Sequence, residues 1–155
     1  MANGHNAYME SRILSASPVE LVHILYQAAL NSVREARRGL AEGDITARSQ
    51  AISKATEILI ELSSSLNYAE GGQLSERLGN LYQYMQHRFL QANLEQSDAP
   101  LVEILGLLTT LYDAWQGVRS FASQLPSNGS SADAPSPPNF GMEPVAEYAL
   151  QGLLY

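Results

Sequence analysis

Between about residue 18 and residue 124, large apolar side chains recur at intervals of three and four in four successive blocks. This period commits the chain to helices with one apolar side each. The first block is Val22, Leu25, Ala29, Val33, Ala36 and Leu40, and the second is Ile45, Ile52, Ala55, Leu59, Leu62 and Leu66. The third is Leu78, Leu81, Tyr82, Met85, Phe89 and Ala92; the fourth is Leu101, Ile104, Leu108, Leu111, Trp115, Val118 and Ala122. In the fourth, threes and fours alternate, which suits helices crossing at a shallow angle.

Stop and start signals separate the blocks. Ser17-Pro18-Val19-Glu20 reads as a helix start, with Ser17 as cap, Pro18 at the first helical position and Glu20 completing a capping box. Gly43 sits where a helix end needs a left-handed residue, and Asp44 starts the second helix. Gly71-Gly72 marks the end of that helix, and the third runs from about Gln73 to Gln96. Ser97-Asp98-Ala99-Pro100 leads into the fourth. Short connections make neighbours antiparallel, so the expected fold is all-α, an up-down four-helix bundle over residues 17–124.

Residues 1–16 precede this bundle as an N-terminal arm. Residues 125–144 hold five of the seven prolines together with Ser, Gly and Asn, and read as a mobile linker. Residues 145–155 turn apolar again.

Sixteen acidic residues against nine basic ones give a net charge of −7, which argues against nucleic acid and anionic membranes as partners. The chain has no cysteine, so disulfides, thiolate catalysis and sulfur-ligated metals are excluded. The first fifteen residues lack the pattern of a signal peptide, and the most apolar stretch, Leu101 to Trp115, is too short to span a bilayer. Cytoplasmic residence is the expectation.

The chemistry-bearing motifs are sparse. Glu20-Leu-Val-His23 has the Glu-x-x-His spacing of di-iron bundles, but the second pair such a site needs is missing. Glu20 is therefore read as a capping residue and His23 as a solvated one. There is no nucleophile elbow, and Gly71-Gly72 is too short to cradle a phosphate. Glu57 and Glu61 lie on a polar helix side. The expectation is a binding protein with no cofactor and no catalytic residue.

Apolar residues outside the stripes are more informative. Ile24 projects about 140° from the first stripe's centre and Ile60 about 120° from the second's. Leu90 and Leu94 face away from Met85, while Tyr84 and Arg88 flank the third stripe. Together these residues suggest a second apolar surface of the kind that receives an amphipathic helix.

Ser15-Ala16-Ser17-Pro18, Glu20-Leu21-Val22, Leu25-Tyr26, Gly43-Asp44, and Leu66 with Gly71-Gly72 resemble the flagellin-specific export chaperones of the FliS type. Leu81-Tyr82-Gln83-Tyr84-Met85, Arg88, Gln91-Ala92-Asn93-Leu94 and Asp113-Ala114-Trp115 continue the resemblance, which spans about residues 8 to 120 in order. It implies a cytoplasmic bundle that binds the disordered C-terminal segment of flagellin, keeps it unpolymerised and makes it available to the flagellar type III export machinery. It also implies that the arm, with Tyr8, Ile13 and Leu14, covers part of the binding surface when no client is present. Tyr26, Ile60, Tyr82, Tyr84, Arg88, Leu90, Asn93 and Leu94 are the matching candidates for client contact. Tyr82 and Trp115 also suit core positions, and Asn93 also suits a loop cap.

Two alternatives stay open at this point: an adaptor bundle with another helical partner, and a weak homodimer formed over the uncovered groove. The apolar end has no counterpart in the family pattern. Val145, Tyr148, Ala149, Gly152 and Leu153 fall near one helical side, so the segment reads either as a disordered terminus or as a mimic of the client.

Overall fold

The computed structural model describes residues 3–124, which form five helices: α1 Asn3–Ser15, α2 Pro18–Glu42, α3 Ile45–Ser64, α4 Tyr68–Glu95 and α5 Ala99–Gln124. The expected linker 125–144 and apolar segment 145–155 lie outside the described residues. Helices α2 to α5 form the four-helix bundle, each packed on its neighbours in the cyclic order α2, α3, α4, α5. Cross-links between ends show that adjacent helices run antiparallel. Arg37 near the end of α2 meets Asp98 at the start of α5, Arg48 early in α3 meets Asn93 late in α4, and Arg88 of α4 meets Glu103 of α5.

The local signals explain the first corner. The Ser17 hydroxyl accepts the Glu20 amide at 3.3 Å, and Pro18 opens α2 without wasting a donor. The Glu20 carboxylate does not close a capping box and instead lies 3.5 Å from Arg119 of α5. At the far end Gly43 takes φ 70°, its amide donates to Leu40 O, and the Asp44 amide donates to Gly39 O. This paired closure satisfies the last carbonyls of α2. Asp44 then caps α3 by accepting the Ala47 amide at 2.9 Å. Gly39 is needed here because a Cβ would lie 2.7 Å from the backbone nitrogen of Arg48.

The second corner departs from the expectation. α3 stops at Ser64, Asn67 caps α4 by accepting the amides of Ala69 and Glu70, and α4 begins at Tyr68 rather than Gln73. Gly71-Gly72 is therefore not a terminator but a kink inside α4, where Gly72 adopts φ 50°, ψ −127°. The arm is also helical, which makes α1 a fifth helix.

The core follows the stripes. Val22, Leu25, Ala29, Val33, Ile52, Leu59, Leu62, Met85, Phe89, Leu101, Ile104 and Leu108 are buried, with Tyr26 and Tyr82 among the largest enclosed side chains. Ile45 departs from its stripe and is exposed. Ile24, expected on the outer surface, is buried, because Ile13 of α1 and the flank of α3 enclose it on the side that a four-rod reading leaves open.

Candidate partner-binding surface

α2 and α3 touch backbone to backbone at Gly39 and Arg48, and theirs is the most extensive helix-to-helix packing in the bundle. Small residues line the interval: Ala28 and Ser32 on α2, Ala47 and Ala51 on α3. These short side chains leave a groove of about 980 Å³ bounded by α1, α2 and α3. Ile24 floors one end. Tyr8, Met9 and Ile13 of α1 form part of its wall, and α1 packs on the bundle through Met9 and the buried Ile13. The rim carries Glu10 and Glu35 against Arg12, Arg38 and Lys54. Arg38 bonds both Glu35 (2.7 Å) and Glu42 (2.8 Å) along α2.

A second apolar region lies on the outside of α3 and α4, where Ile60, Leu90 and Leu94 are 48%, 55% and 74% exposed. At 100° per residue, Ile60 falls about 20° from Ser49, whose hydroxyl donates to Asn93 Oδ1, so Ile60 is on the α4 side of α3 and not in the α2–α3 groove. Thus the two apolar regions occupy different seams.

The polar candidates act between helices. Tyr84 donates its hydroxyl to Glu103, and Arg88 Nε donates to the same carboxylate at 2.7 Å. The Tyr84 hydroxyl first, and the Arg88 guanidinium after it, hold the Glu103 carboxyl below its ordinary range. Asn93 does not cap a loop: its Oδ1 accepts from buried Arg48 Nε at 3.1 Å and from Ser49 Oγ, tying α3 to α4. This tie meets the requirement that a buried guanidinium find a partner.

Of the residues expected to face a client, Tyr8 and Leu14 are exposed on α1 and Ile13 is buried beneath it. Tyr26 and Tyr82 present no surface at all. They are 0% and 2% exposed, hydrogen-bond each other through their hydroxyls, and the Tyr26 ring lies 6.4 Å from that of Trp115. Their packing explains the correction, since each sits on the inward stripe of its helix. Burial pushes both phenols up from 10, so both remain protonated.

His23 also departs from expectation. It is buried, stacks on Tyr112 with ring centroids 4.7 Å apart, and has Nε2 3.3 Å from the Tyr112 hydroxyl. Burial, then the charges of Arg119 and Arg12, lower its pKa from 6.5, with Glu20 opposing. Sequence reasoning missed this pair, Arg48, and the groove itself. The facing Ala and Ser positions were the available signal for the groove.

Among the described residues no helix is long and apolar enough to cross a membrane, and no group of three or more His, Asp and Glu is placed to hold a metal ion. The model of the family "Flagellar protein FliS" matches residues 1–122. The flagellar secretion chaperone FliS of Salmonella typhimurium is 37% identical over 127 residues, 79% of this chain and 94% of that protein. Its counterpart in Bacillus subtilis is 32% identical over 74% of this chain and 84% of its own length. In Escherichia coli the figure is 32% over 74% and 88%. The fold, the ordered motifs and these matches together place the chain in the FliS family of flagellar secretion chaperones.

Proposed function

We propose that this protein is a cytoplasmic export chaperone that binds the disordered C-terminal segment of flagellin, keeps it from polymerising and presents it to the flagellar type III export machinery. The α2–α3 groove carries the reading: a trough floored by Ile24, Ala28, Ala47 and Ala51 between polar rims, walled on one side by α1, suits an amphipathic helix. Tyr8, Ile13 and Leu14 belong to the movable cover. Ile60, Leu90 and Leu94 extend contact to the α3–α4 seam, with Asn93 bordering it, while Tyr84 and Arg88 offer contact from the α4–α5 side, where both bond Glu103. Tyr26 and Tyr82 support the α2 and α4 surfaces from beneath.

The energetics favour a long client over a small ligand. Ordering a disordered segment costs several kcal/mol, while about 1,000 Å² of apolar contact returns roughly 25 kcal/mol gross at about 25 cal/mol per Å². Two separate apolar seams supply surface on that scale only if the client wraps around the bundle. The test is calorimetric titration with intact flagellin and with flagellin lacking its C-terminal segment. Binding only to the intact protein supports the reading; equal binding to both contradicts it and favours a different helical partner.

A further inference from the structure

The family match stops at residue 122, yet residues 145–155 are apolar at eight of eleven positions. We propose that this segment docks in the α2–α3 groove of its own chain. The docking itself stands apart from the client reading; its consequence, competition with flagellin, rests on that reading.

Three observations carry it. The first is reach. Late α5 lies beside the start of α2 through Arg119 and Glu20, 3.5 Å apart, at the end of the bundle where Ile24 floors the groove. The twenty residues 125–144 between α5 and the segment have a root-mean-square span of about 25 Å.

The second is fit. The groove follows α2 from Ile24 to Glu35, about 17 Å at 1.5 Å per residue, and an eleven-residue helix is about as long. At helical spacing Val145, Tyr148, Ala149, Gly152 and Leu153 cover one side of about 140°, the apolar stripe that a trough floored by Ala28 and Ala51 accepts.

The third is charge. Residues 125–155 contain Asp133, Glu143 and Glu147 and no Lys or Arg. Arg38 is engaged by Glu35 and Glu42, which leaves Arg12 and Lys54 against Glu10 on the groove rim, a positive lean in a chain of net charge −7. Tethering places the segment at an effective concentration of about 1 mM, so even an intrinsic affinity of about 0.1 mM leaves the groove mostly occupied.

The chain's lack of cysteine allows a clean test by disulfide trapping in the full-length protein. Gln50→Cys on the groove rim is paired with Ala149→Cys, and Thr109→Cys on exposed α5 with the same Ala149→Cys as control. Docking predicts that the groove pair closes within one chain at least about fivefold faster than the control, and that adding Leu153→Asp removes the difference. Equal rates, or a disulfide-linked dimer as the main product, overturns the proposal. Fast closure that a saturating flagellin C-terminal peptide fails to slow upholds docking and instead counts against the groove as the client's site.

Discussion

The two seams of α2 are built differently. Toward α5 the seam is closed at both ends by polar ties: Arg37 with Asp98 at one end, His23 with Tyr112 and Glu20 with Arg119 at the other. Toward α3 the packing is the more extensive of the two, the backbones meet at Gly39, and a groove lined with Ala and Ser lies between this seam and α1. One seam is fastened by side-chain ties, whereas the other rests on close approach of small residues and borders an open trough beside α1. The same helix thus carries a side fastened to α5 and a side facing the groove, divided by the Tyr26 stripe.

The pin at Gly39 is the sharpest way to break that contrast. Gly39→Leu drives a side chain into the Arg48 backbone, which cannot swing aside, and should cost about 3 kcal/mol, read as a lower midpoint in urea with little change in slope. A variant of unchanged stability would mean that the seam is not pinned there.

Tyr26→Phe attacks the floor beneath both seams. It leaves the enclosed Tyr82 hydroxyl without its partner and should cost about 1.5 kcal/mol in the same measurement, with the helical signal intact.

The α5 seam should respond to pH. Because burial lowers the His23 pKa in the folded state, the unfolded chain binds the extra proton first. The stability that neutral His23 contributes is fully present above pH 6.5 and is lost as pH falls through its lowered folded value. Melting at pH 7.5 and 5.5 should show this loss in the native chain and a smaller one in His23→Phe. Equal losses would remove His23 as the cause.

Arg37→Ala should matter least. The Arg37–Asp98 pair is solvent-facing, with side chains 39% and 47% exposed, so its loss should cost less than about 1 kcal/mol and vanish into high salt.

The structural side of α2 was legible because its signals are local. Ser17-Pro18 and Gly43-Asp44 fix the helix ends through bonds to amides and carbonyls within four residues, and the stripes mark what faces inward. The groove side was less legible. The α1 sequence packs chiefly through Met9 and Ile13, too few apolar positions to announce a helix, and without it Ile24 reads as exposed. At the second corner Gly71-Gly72 outweighed the quieter Asn67 cap, although Asn67 holds the amides. Arg48 with Asn93 and His23 with Tyr112 join residues 45 and 89 positions apart, which no helical period reveals.

The central claim is that the groove bounded by α1, α2 and α3 receives the client. Ala51→Trp tests it most directly, because Ala51 lines the groove while remaining only partly buried, so an indole there fills the trough without entering the core. Calorimetric titration of a flagellin C-terminal peptide should show affinity falling by tenfold or more, about 1.4 kcal/mol, with the melting temperature unchanged. Native affinity in a folded Ala51→Trp protein would contradict the account.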